Sequence, residues 1–247
     1  ARTRPCRSMS KVAVITGCSR GIGLALVERL LSLKWAVVAT CRNPKGAEKL
    51  AGILKKNDQG PAITLDVSDA KSIASAVEEM GKRHESGIDL LINNAGISNK
   101  DHPNDPVLTA DIEEMLHIYR VNVCGPLAVT RAFLPLLKRI KGSKVINISS
   151  DLGSISNNTT GNDTGYRCSK VALNMLTRNL AVEVKDVTFA AVSPGWVNTD
   201  MGSVGGRNPP LSPAQSAAGI IQFVGNLTPS DSGANVSVSI KGTLLKF

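Results

Sequence analysis

A chain of 247 residues with 42% hydrophobic content can build one large α/β core and gives no reason for division into several domains. Lys and Arg outnumber Asp and Glu by 29 to 20, but the excess is dispersed and aromatic residues make up only 3%, which argues against a nucleic-acid-binding surface. No apolar run approaches the ~18 residues that span a bilayer. Five scattered cysteines without a C-x-x-C pair argue against a disulfide framework and for a reducing compartment, read here as the cytoplasm.

In chain order, residues 1–8 are Arg-rich and acid-free, and read as a basic extension, expected to be disordered, ahead of a single dinucleotide-binding domain at 9–247. Short apolar runs follow at 12–16, 36–40, 62–65, 90–92, 144–148, 187–192 and 235–240. Between them, apolar residues recur at helical spacing: Leu24, Val27, Leu30 and Leu31; Ile73, Val77 and Met80; Leu127, Thr130, Leu134 and Leu137. Strands rich in Val, Ile and Ala with little polar alternation are buried on both faces, so the expectation is an α/β Rossmann-type doubly wound parallel sheet of about seven strands flanked by helices. Two long irregular stretches, 97–108 and 194–213, have the length of functional lids.

The first strand runs into Thr16-Gly17-Cys18-Ser19-Arg20-Gly21-Ile22-Gly23, and a helix follows. Glycines let a pyrophosphate approach closely, and the helix N-terminus offers it backbone N–H groups. An acid at the end of the second strand would bind a ribose 2'-hydroxyl, but that strand ends Thr40-Cys41-Arg42-Asn43. A guanidinium cannot accept from a hydroxyl, yet it holds a phosphate bidentately, so Arg42 and Arg20 point to NADP(H). Downstream, Tyr166 and Lys170 stand four apart on one predicted helix face, where an ammonium beside a phenol is expected to favour its ionised form. Cys168, two residues past Tyr166 and so about 200° around that helix, is expected to face away from the catalytic side and to pack rather than react. Trp196 either walls a cleft or sits in the core. His84, His102 and His117 lack ligand spacing, so no metal site is expected.

Five motifs occur in order: Thr16-Gly-x-x-x-Gly21-Ile22-Gly23, Asn93-Asn94-Ala95-Gly96, Ser149-Ser150, Tyr166-x-x-x-Lys170 and Pro194-Gly195. The chain from Lys11 onward resembles the short-chain dehydrogenase/reductase family. With Cys41-Arg42-Asn43, 151–155 and 195–202 it is most similar to the sniffer-type and C-factor-like carbonyl reductases. The resemblance implies a tetrad of Asn122, Ser150, Tyr166 and Lys170. Tyr166 would exchange a proton with the substrate oxygen, Ser150 would bond that oxygen, Lys170 would hold the cofactor ribose, and Asn122 would anchor a water. It also implies cofactor contacts from Gly17, Ser19, Arg20, Gly21, Ile22 and Gly23, from Arg42, from Asp66 and Val67 beside adenine, and from Asn93, Ala95 and Gly96 along the ribose. Pro194, Gly195, Val197 and Thr199 would surround the nicotinamide. The polar loop 156–164 should border the substrate, and the tail departs from many relatives in carrying Lys241 before Gly242.

The function expected is NADPH-dependent reduction of a small or medium aldehyde or ketone, with the reverse oxidation open to the same residues. The competing reading is a non-catalytic NADP-binding regulator or redox sensor, against which the intact Tyr166/Lys170 pair argues. A carbonyl substrate is the expected small-molecule partner. The resemblance adds a homodimer or homotetramer built on the helices that carry Asn122 and Tyr166.

Overall fold

A computed structural model describes residues 10–99, 106–238 and 243–244. The extension at 1–8, the stretch 100–105 and most of the tail lie outside them. The seven apolar runs become strands, most of them buried on both faces, and a short eighth strand follows. In chain order these are β1 (Val12–Ile15), β2 (Ala36–Cys41), β3 (Ile63–Thr64), β4 (Leu90–Asn93), β5 (Lys144–Ile148), β6 (Thr188–Ser193), β7 (Ala234–Ser237) and β8 (Thr243–Leu244). Their order across the sheet is β3-β2-β1-β4-β5-β6-β7-β8. The first seven in sequence are mutually parallel, as expected, and β8 adds an antiparallel pairing to β7. The chain winds outward from β1 to β3 and restarts beside β1 at β4, which opens a crevice beyond the carboxyl ends of those two strands.

The helices are α1 (Gly21–Ser32), α2 (Glu48–Lys56), α3 (Ala70–Arg83), α4 (Ile112–Tyr119), α5 (Gly125–Leu137), α6 (Thr164–Glu183) and α7 (Pro213–Asn226). One sheet face, with Ile15, Ile92, Ile146 and Val192, packs with Leu26 and Leu30 of α1 and Ile220 of α7. The other, with Val14, Leu91, Val145 and Phe189, packs with Met80 of α3 and Phe133 of α5. On α5 the buried stripe is rotated from the expected one. Val129, Thr130, Phe133, Leu136 and Leu137 face the core, while Leu127 and Leu134 are only half-buried.

Three of the seven described α-helix starts are closed by their own side chains. Asp69 accepts from Lys71 N, Asp111 from Glu113 N, and Ser212 forms a capping box with Gln215. α1 has no such side-chain cap and no acid in its first turn. Its orphan N–H groups therefore face the crevice with their partial positive charge uncompensated by a side chain. Between α4 and α5 the chain does not break: residues Arg120–Cys124 form a π-helical turn that carries Asn122.

Candidate active site

The glycine-rich turn is held closely to β4. Gly17 has φ +72°, and a Cβ there would lie 2.9 Å from Ala95 Cα. A Cβ on Gly23 would stand 2.2 Å from Gly17 O, so that position admits only glycine without rearrangement. Two residues that the motifs contain, but for which the sequence suggested no role of their own, build this contact. Thr16 Oγ1 accepts from Asn94 N and Ala95 N, both at 3.0 Å, and Asn94 Nδ2 donates to Thr16 O at 2.9 Å and Gly17 O at 3.1 Å. Polar residues ending two buried strands were the available signal.

Ser19, Arg20 and Arg42 are exposed near the mouth of this turn. Arg42 acts electrostatically on Asp66, whose carboxyl is held below its usual range by the Ser68 hydroxyl first, against some desolvation, and by the Ser68 N–H and the Arg42 charge in lesser measure. Uncapped α1, glycines in close approach and two arginines without an acid at the end of β2 form a donor set that suits a dinucleotide with an additional phosphate. Arg20 also forms an ion pair with Asp200, Nε to Oδ2 3.0 Å, and Gly21 faces the Thr199 methyl. The glycine-rich turn and the 194–213 loop therefore touch, a relation across some 180 positions that no local pattern announces.

Tyr166 and Lys170 lie on α6, with the Lys170 Nζ 5.3 Å from the Tyr166 ring centroid. Lys170 is buried and donates to Ile148 O at 2.9 Å. Ser150 caps the short turn Asp151–Gly153, accepting from Leu152 N at 3.2 Å, and its side chain is near enough to the Tyr166 phenol to lower its proton affinity. Asn122 is buried, accepting from Ile97 N at 2.9 Å and donating to Ile97 O at 2.8 Å and Ser169 Oγ at 3.0 Å. Ser169 Oγ in turn donates to Tyr166 O at 2.7 Å, tying the π turn to α6. Asn122 and Lys170 flank Gly96: a Cβ at that glycine would be 3.2 Å from Asn122 Oδ1 and 3.7 Å from Lys170 Nζ. All four tetrad side chains thus gather at the carboxyl ends of β4 and β5.

The proton affinities correct one expectation. Desolvation pushes the Tyr166 phenol up to about 12; the Ser150 side chain pulls down and the Asp163 charge adds a smaller upward push. Desolvation likewise pushes Lys170 down to about 8. The ammonium stands over the ring, itself disfavoured as a cation, and does not overcome the desolvation of a phenolate. Near neutral pH Tyr166 therefore holds its proton.

Several expected contacts have their side chains occupied elsewhere. Asn93 is buried, donating to Thr130 Oγ1 at 3.0 Å and Asn147 Oδ1 at 2.8 Å, so its amide faces the interior. Val67 packs against Gly125, and Val197 is buried and bridged to Leu211; both offer backbone alone. Pro194 is buried and its carbonyl accepts from Ser216 Oγ at 2.8 Å, while Gly195 adopts φ +79°. Ile22 packs against the core and leaves its backbone at the helix start. Thr199 takes Gly202 N at 3.1 Å. Cys168, expected to pack, is exposed, because α6 turns Ser169, Leu173 and Thr177 inward instead. Trp196 is 48% exposed, which removes it from the core, and its Nε1 donates to Gly202 O.

A family model described as short chain dehydrogenase matches residues 11–208. The NADPH-bound carbonyl reductase from chicken fatty liver superposes with a TM-score of 0.89 at 35% identity, covering 96% of this chain and 99% of that one. The carbonyl reductase Sniffer of D. melanogaster gives 0.89 at 32% identity, covering 97% and 100%. A curated oxidoreductase of Schizosaccharomyces pombe is 32% identical over 255 residues, 96% of this chain and 98% of its own length.

Proposed function

This chain belongs to the short-chain dehydrogenase family, and from that premise we propose that it is an NADPH-dependent carbonyl reductase in which Asn122, Ser150, Tyr166 and Lys170 form the catalytic set. One observation carries the reading: Asn122 and Lys170 flank Gly96 at the end of β4, Lys170 is fixed to the end of β5, and Ser169 ties Asn122 to the backbone of Tyr166. A general acid must hold a proton before it can donate one. The protonated phenol is the form that carbonyl reduction uses. The NADPH-bound avian carbonyl reductase supports the choice of cofactor, as do Arg20 and Arg42 where an acid would select NADH.

When bound, the nucleotide supplies the hydride. The protein's own residues do the rest. The α1 N–H groups and Gly17 to Gly23 receive the pyrophosphate, and Arg20 and Arg42 take the 2'-phosphate. Ser150 holds the substrate oxygen, and Tyr166 delivers a proton to it as it gains negative charge. Lys170, fixed by Ile148 O beside Gly96, is placed for the ribose hydroxyls. Asn122 keeps the loop after β4 at its distance from α6 by gripping both the N–H and the C=O of Ile97.

The finer partners follow the same logic. A small or medium aldehyde or ketone fits the apolar side chains exposed on the two flanking loops, Ile155, Trp196 and Met201. Leu108, Ile112, Leu116 and Tyr119 form an exposed apolar stripe along α4 and the turn before it, which supports a homodimer or homotetramer through these helices. Four described cysteines are free thiols, in keeping with the cytoplasm. The deciding experiment is Tyr166→Phe: kcat falls by at least ~100-fold, while NADPH affinity stays within a few-fold of wild type. Retained turnover on an established carbonyl substrate would refute the assignment.

A further inference from the structure

We propose that Asn174 is a positioning residue that fixes Ser150 for the reaction. The inference rests on Ser150 as the group that holds the substrate oxygen. Tyr166, Lys170, Asn174 and Thr177 share one face of α6. That face reads consecutive residues at the end of β5: Thr177 Oγ1 accepts from Asn147 Nδ2 at 2.8 Å, Lys170 donates to Ile148 O, and Asn174 Oδ1 accepts from Ser149 Oγ at 2.6 Å. Asn174 Nδ2 then donates to Gly153 O at 3.1 Å. One buried side chain therefore ties together the residue before Ser150 and the end of the turn that Ser150 caps.

The orientation of the amide follows from its partners. Gly153 O can only accept, so the nitrogen must face it and the oxygen must face the Ser149 hydroxyl. Gly153 is pressed against α6, where a Cβ would lie 2.9 Å from Lys170 Cβ and 3.1 Å from Asn174 Nδ2. The turn has little room to tilt. Ser150 needs no contact with Asn174 to be held by it, because both flanks of its short segment are anchored to the helix that carries Tyr166.

Asn174→Asp is the informative change, since it keeps size and shape, replaces the donor to Gly153 O by an acceptor, and leaves Ser149 a partner. With NADPH and an established carbonyl substrate, kcat should fall by about ten- to a hundredfold, the scale of a misplaced catalytic group. NADPH affinity should stay within a few-fold. Non-additivity separates positioning from general damage: Ser150→Ala/Asn174→Asp should be no slower than Ser150→Ala alone, within about threefold. Additive losses, or a loss of NADPH affinity that matches the loss of kcat, overturn the proposal. If Ser150→Ala itself retains wild-type kcat, the role given to Ser150 fails and the proposal falls with it. Should Asn174→Asp not fold, Ser149→Ala, which cuts one anchor of the two, decides: a slower enzyme with unchanged NADPH affinity upholds the clamp, and an unchanged kcat overturns it.

Discussion

Replacing Lys170 by Met should stabilise the nucleotide-free protein near neutral pH while removing its activity. The side chain is buried, donates to the neutral carbonyl of Ile148 and stands over the Tyr166 ring, with no carboxylate in contact among the described residues. Desolvation brings its pKa from the ordinary 10.5 to about 8. At 1.36 kcal/mol per pKa unit, holding the ammonium charged in this position costs about 3 kcal/mol. Met fills the same volume without that cost but leaves Ile148 O without a donor, which takes back about 1–2 kcal/mol. The net gain at pH 6.5 is then about 1–2 kcal/mol. Its pH dependence follows from the sign of the shift. Between pH 8 and 10.5 the unfolded chain binds more protons than the folded one, so wild-type stability rises with pH through that window. The advantage of Lys170→Met is accordingly full below pH 8 and shrinks, then reverses, toward pH 10. Urea unfolding of both proteins at pH 6.5, 8, 9 and 10 measures it. A stability difference that stays constant over this range would falsify the claim that Lys170 is charged at a cost in the folded protein.

Three other outcomes are expected. Gly23→Ala places a methyl 2.2 Å from Gly17 O and 2.6 Å from Asn94 Nδ2; it should weaken NADPH binding at least about tenfold and destabilise the fold by about 1–3 kcal/mol, read by cofactor titration and denaturant unfolding. Arg42→Asp should lower the NADPH over NADH preference in kcat/KM by at least about tenfold, with Arg20 retaining part of the phosphate affinity; an unchanged ratio would mean that Arg42 is a surface cation and nothing more. Leu116→Asp, in the middle of the exposed α4 stripe, should reduce the mass measured by light scattering to that of a monomer with an unchanged circular dichroism spectrum. A wild-type protein that is already monomeric at micromolar concentration would refute that reading.

The parts of the molecule that were readable in its sequence are those set by short-range chemistry. The run Val12–Ile15 is uniformly apolar because its strand is buried on both faces, and it was located within one residue. Tyr166 and Lys170 are separated by one helical turn, so their shared face needed no tertiary information. Where long-range packing decides, the sequence was silent or misleading. The proton affinity of Tyr166 depends on how much protein surrounds the phenol, and a neighbouring cation in sequence did not foretell that desolvation would win. The buried stripe of α5 includes Val129, Phe133 and Leu136, which the choice of Leu127 and Leu134 overlooked, and Arg120-Val121-Asn122-Val123-Cys124 carries no local mark of an i→i+5 turn. The motif that contains Asn93 likewise did not show that its amide belongs to a set of buried hydrogen bonds linking Thr130, Asn147 and Thr177.

That π turn links two properties which otherwise look unrelated. One added residue per turn rotates everything before it by about 100° relative to everything after. The Asn122 amide reaches Ile97 and Ser169 on one side of this joint, while Ile112, Leu116 and Tyr119 project outward from the other. Both directions are referenced to the core packing of α5. Deleting a single residue within Arg120–Cys124 would restore an uninterrupted α-helical register, withdrawing Asn122 from the site and swinging the apolar stripe around the helix in the same movement. Catalytic geometry and the outward face of α4 are thus timed by one local insertion. A length change there has to be compensated in both places or in neither.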